Sequence, residues 1–117
     1  MDSECLFCRI AAQEIPAQEL YRDSEIMAFR DITPQAPTHL LIIPVAHTPS
    51  VAELSDRDQT TVGKLILVAR DLAREQGLER DGYRLIINTR AHAGQEVDHL
   101  HLHLLGGEPL GPMRSSK

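Results

Sequence analysis

The sequence predicts an α+β domain of two layers with a mainly antiparallel sheet. Three observations predict it: strand-like apolar runs dominate, one long stretch carries helical apolar spacing, and the strand connections look hairpin-like. Taken in order, Cys5 to Gln13 has the spacing of a short helix, ended by Ile15-Pro16. Leu20 to Asp23 and Ile26 to Arg30 form two short strands about a turn at Asp23-Ser24. DITPQAPTH holds two prolines and is irregular, a loop between strands that can carry function. His39 to Val45 is a central strand ending near Pro44. Ser55 to Gln76 is the long helix, with Leu65, Val68, Ala69 and Leu72 on one face. Ser55 and Asp58 resemble its N-terminal cap, and Gly77 ends it. Gly82 to Asn88 is a further strand, Thr89 to Val97 a loop, and a last strand starts at His99 before the polar tail GEPLGPMRSSK.

With 117 residues the chain makes one domain, residues 1–117, with one core. A content of 42% hydrophobic and 25% charged residues is that of a soluble globular protein. Twelve basic against seventeen acidic residues give a net charge of −5, which argues against a general nucleic-acid or anionic-membrane surface. No apolar run reaches membrane-spanning length. MDSECLFCRI lacks the basic start and apolar core of a signal peptide, so cytoplasm is the expected location. In that compartment two cysteines are expected reduced or metal-bound.

HLHLHLLGG, from His99 to Gly107, alternates histidine and leucine. On a strand, His99, His101 and His103 share one face, with neighbours about 6–7 Å apart, and the leucines take the other. Three imidazoles in a row fit a solvated edge, a catalytic zinc with water in its fourth position, or a nucleophile with two helpers. The pattern alone leaves all three open.

GQEVDHLHLHLLGG resembles the histidine-triad motif of the HIT nucleotide-binding family. AFRDITPQAPTHLLIIP (28–44), DGYRLIIN (81–88) and GGEPLGPM (106–113) resemble its Hint branch, bacterial members especially. The resemblance covers nearly the whole chain in order and spacing. It implies a HIT-like fold with a five-stranded antiparallel sheet, one long and one short helix, and a homodimer whose sheets join. It also implies a purine nucleoside phosphoramidase: AMP or GMP joined to an amine is cleaved through a nucleotidyl-histidine, and catalysis requires no cofactor.

By that resemblance His101 is the nucleophile, His103 contacts the phosphate and manages charge, and His99 orients the triad. Gly94, Gln95 and Glu96 bring backbone donors to the phosphate, Glu96 through its backbone alone because a carboxylate would repel. Glycine suits the close approach. Asn88 contacts the sugar-phosphate. Asp31 matches the ribose ligand, since one carboxylate accepts from both the 2′- and 3′-hydroxyls. Phe7, Ile10, Phe29 and Ile32 match the pocket that sandwiches the purine, and His39 a polar partner beside the triad. His92 receives no role. Asp98 stands where Hint proteins commonly have an aromatic residue, Ala93 where glycine is usual, and the short tail lacks tryptophan.

Cys5 and Cys8 form a Cys-x-x-Cys pair, which by itself fits redox chemistry, a metal site or two packed thiols. Some HIT proteins and related nucleotidyltransferases hold structural zinc with such a pair, a histidine after the central strand and the first triad histidine. Here those are Cys5, Cys8, His47 and His99, a closed Cys₂His₂ set. Two other functions compete. One is a dinucleoside polyphosphate hydrolase or nucleotidyltransferase, although transferases tend to replace the last triad histidine with glutamine. The other is a non-catalytic nucleotide-binding regulatory protein, which would not need an intact His99, His101 and His103.

Overall fold

A computed structural model describes residues 4–114, and the readings at the extreme N-terminus and the end of the tail lie outside the described residues. Helix α1 spans Leu6–Ala11; β1 (Glu19–Arg22) and β2 (Ile26–Arg30) form the expected hairpin. Its turn is held by Asp23, whose Oδ1 accepts the backbone N–H groups of Glu25 and Ile26, both at 2.8 Å. Next come β3 (Thr38–Pro44), α2 (Gln59–Glu75), β4 (Tyr83–Ile86), α3 (Arg90–Ala93) and β5 (Leu102–Gly106). The five strands form one antiparallel sheet in the order β1-β2-β3-β5-β4. Among the described residues no helix is long and apolar enough to cross a membrane.

Strand alternation sorts the core. Ile26, Ala28, Leu40, Ile42, Leu102 and Leu104 point to α2 and pack on its Leu65, Val68, Ala69, Leu72 and Ala73. Burying each large aliphatic side chain contributes about 1.5–3 kcal/mol. Met27, Phe29, Leu41 and Ile43 point the other way and meet Phe7, Cys8, Ile10 and Ala11 of α1. This helix covers only part of its face. The uncovered remainder, with His39, His101 and His103, is the floor of a cleft.

Several boundaries differ from the sequence expectation, four of them around the site and the long helix. The long helix opens with a 3₁₀ turn over Asp56–Asp58, where the Ser55 N–H donates to Asp58 Oδ2 at 2.8 Å, as the expected cap requires. The strand expected over Gly82–Asn88 pairs only from Tyr83 to Ile86, which leaves Asn88 beyond the sheet. The expected loop Thr89–Val97 contains α3, a single turn too short to show helical periodicity, closed by Gly94 at φ 77°. The histidine strand begins at Leu102 rather than His99. Upstream of it, the Leu100 N–H is taken by the carbonyl of Thr48 at 2.7 Å.

Candidate active site

The cleft of about 630 Å³ lies between α1, the loop after β2 and the pocket face of β3 and β5, a size suited to a small ligand. Of the expected residues, Phe7, Ile10, Phe29, Asp31, Ile32, His39, Asn88, Glu96, His101 and His103 line it. Phe7 meets Phe29 edge-on at 5.5 Å and His101 at 5.1 Å between ring centroids. Ile32 is 93% exposed and stands at the rim. Gly94, Gln95 and His99 are not among the lining residues.

The Gln95 side chain is engaged within its own part of the fold. Its Nε2 donates to the carbonyls of Pro49 (2.7 Å) and Val97 (2.9 Å), and its Oε1 accepts the Arg90 N–H at 2.7 Å. The side chain ties the loop down.

Backbone groups, which can only donate or only accept, decide where each imidazole proton sits. The His101 Nδ1–H donates to the His99 carbonyl at 2.8 Å, so a neutral His101 keeps a free lone pair on Nε2. The Gln35 N–H donates to His39 Nδ1 at 3.0 Å, which puts the His39 proton on Nε2. That Nε2–H donates to His103 Nδ1 at 2.9 Å, leaving the His103 proton on its own Nε2. Burial, then the neighbouring His101 and His39, push His103 down to about 4, so at neutral pH it is an uncharged donor. His39 is likewise lowered by burial, partly offset by Asp31.

Asp31 divides its two oxygens. Oδ1 accepts the Thr33 N–H at 2.8 Å and fixes the turn, while Oδ2 lies 3.5 Å from His39 Nε2. The loop is pinned again where the Asp31 N–H donates to the His39 carbonyl at 3.0 Å. Gln35 and Pro44, which orient histidines through backbone atoms alone, were not legible as functional positions because no side-chain type signals such a role.

His99 leaves the cleft. It is fully buried, and its Nε2–H donates to the Pro44 carbonyl at 2.8 Å. Its Nδ1 lone pair therefore faces Cys5 Sγ (3.3 Å), Cys8 Sγ (3.5 Å) and His47 Nδ1 (3.3 Å). Cys8 Sγ and His47 Nδ1 are 3.3 Å apart, and all four donor atoms lie within 4.8 Å of one another. A tetrahedral zinc with Zn–S near 2.3 Å and Zn–N near 2.0–2.1 Å needs ligand–ligand edges of about 3.3–3.8 Å. Four of the six edges measure 3.3–3.5 Å, in line with that span, and two thiolates with two imidazoles suit the chemistry of the ion.

Four likenesses to known proteins bear on this geometry. The HIT domain family model matches residues 12–110. The purine nucleoside phosphoramidase of Escherichia coli (strain K12) is 50% identical over 117 residues, covering all of this chain and 98% of that protein. The HIT family hydrolase of Legionella pneumophila Philadelphia 1 superposes with a TM-score of 0.89 at 49% identity, over 92% of this chain and 100% of the other. A histidine triad protein from Clostridium difficile gives 0.93 at 37% identity, over 97% and 99%. With the family match running from the end of α1 through β5, and relatives alike over almost their whole length, the chain belongs to the HIT family.

Proposed function

We propose that the protein hydrolyses purine nucleoside 5′-phosphoramidates, AMP or GMP joined to an amine, through a nucleotidyl-His101 intermediate. The observation that carries this reading is the hydrogen bond from His101 Nδ1 to the His99 carbonyl. It leaves a nucleophilic Nε2 on a residue lining a cleft that also holds Asp31. The activity named for the Escherichia coli relative supports the same reaction. Nε2 attacks the α-phosphorus, the P–N bond breaks with its electron pair going to nitrogen, and the amine takes up a proton from solvent as it departs. Water then attacks the same phosphorus and releases a proton to solvent, the bond to Nε2 breaks with its electron pair returning to the ring, and the nucleoside 5′-monophosphate leaves with His101 restored. The neutral His103 donates its Nε2–H to a phosphate oxygen, where charge must be stabilised. Asp31 accepts from the ribose hydroxyls, and the purine lies among Phe7, Ile10 and Phe29, with Ile32 at the mouth.

The test compares turnover of AMP-lysine and of diadenosine tetraphosphate on one preparation, with His101→Ala beside the wild type. The amine substrate should be cleaved far faster, because the only fixed cation lining the cleft among the described residues is Arg30. His101→Ala should lose about 10³-fold or more in kcat while still binding AMP. Substantial activity in that variant would remove His101 as nucleophile. Faster cleavage of the polyphosphate would instead favour a dinucleoside polyphosphate hydrolase.

We further propose that Cys5, Cys8, His47 and His99 hold a structural zinc, whose role is to bind these four side chains together and contribute to folding. The proposal includes a homodimer, supported by the free edge of β4 and by exposed apolar side chains at Tyr83, Ile66 and Leu67. A reducing cytoplasm suits the two buried cysteines.

A further inference from the structure

We infer that the Cys5, Cys8, His47 and His99 centre is thermodynamically coupled to the nucleotide site, so that metal and nucleotide each bind more tightly in the presence of the other. The inference rests on the reading of these four residues as a metal site. His99 links the two sites through three of its own groups. Its Nδ1 faces the donor set, its Nε2–H is anchored on Pro44, and its carbonyl holds the His101 Nδ1–H. This carbonyl precedes the start of β5, so no strand ladder fixes it. Its position follows the His99 ring and the neighbouring bond from Leu100 to Thr48. A ligand that immobilises the ring therefore immobilises the acceptor that aims the nucleophile.

A second connection runs through α1. Six residues are too few to hold a helix by backbone bonds alone. Its N-terminus depends on Cys5, whose Sγ accepts the Cys8 N–H at 3.3 Å. Between those two cysteines sits Phe7, in edge contact with His101 and Phe29, and Ile10 follows one turn on. Metal at the cysteines and histidines would tie the helix bearing the purine wall to the segment bearing the nucleophile. One ligand orders parts that the other also needs ordered, which gives positive coupling, and linkage makes it reciprocal.

The test uses the full chain loaded with Co(II) and, separately, with Zn(II). Saturating AMP should shift the visible ligand-field bands of the Co(II) form and should slow transfer of zinc to a colorimetric chelator by about fivefold or more. Asp31→Ala, which touches neither cysteine nor either histidine ligand, should weaken AMP binding and abolish both effects at the same AMP concentration. This separates coupling from chelation by AMP itself. The Co(II) spectrum is read on loaded protein, so it remains decisive if stripping the metal unfolds the chain. Protein that retains metal but shows unchanged bands and unchanged chelator kinetics with AMP overturns the coupling and leaves the metal site standing. Protein that takes up neither ion overturns the metal reading and the coupling together.

Discussion

At the scale of single residues, the site depends on proton positions more than on residue types. His39 and His103 are held neutral by burial, His103 with a folded-state value of about 4. An unfolded histidine titrates near 6.5. Between about pH 6.5 and 4 the unfolded chain therefore binds a proton that the folded His103 ring refuses. This contribution to stability is complete above the unfolded value and shrinks as pH falls through that window. The melting temperature should drop between pH 7.5 and 5, and the drop should be smaller in His103→Gln, which cannot titrate. Equal slopes in thermal melts of the two proteins would contradict the neutral, half-buried imidazole. The three-histidine pattern was legible in the sequence. The relay from the Gln35 N–H through His39 to His103 was not, because a backbone donor at a loop position leaves no mark in residue type.

At the scale of elements, the loop after β2 and the exit from β5 form one unit. Gly107 has φ 102°, and a Cβ there would sit 2.8 Å from Pro37 Cβ, on the loop that carries Asp31. Both facts oppose a side chain, since the left-handed region and the close approach each penalise it. Gly107→Ala should lower stability by about 1 kcal/mol or more. It should also weaken AMP binding more than it slows the chemistry, because the strain falls on the ribose loop and not on His101. Thermal melts and a split of KM from kcat would check this. Unchanged KM would mean the loop absorbs the strain elsewhere. Periodicity located α2 and its buried face well, since a long helix has enough turns to show its stripe. It could not locate α3, and it ran β5 three residues too far because alternation continues where pairing has stopped.

At the scale of the molecule, β4 ends the sheet with its outer edge unpaired among the described residues, and Tyr83 on it is 37% exposed. A second copy joined through this region would cover the edge and the exposed Ile66 and Leu67 of α2. Sedimentation at micromolar concentration should report about 26 kDa, twice the 13.0 kDa chain. A mass that stays at 13.0 kDa would remove the dimer.

By itself the sequence determined the fold class, the opposite faces that His103 and its flanking leucines take on β5, and the residue types available for nucleophile, ribose ligand and metal ligand. Local alternation and helical spacing encode those directly. The tertiary structure decided what those residues do to one another. It withdrew His99 from the cleft, turned Gln95 into a loop tie, and set Cys5 beside a ring 94 positions away. It also decided, through the carbonyls of His99 and Pro44, which nitrogen of each ring keeps its lone pair. Imidazole is ambivalent until a neighbour of fixed polarity meets it, and such neighbours come from chain segments that only folding brings together.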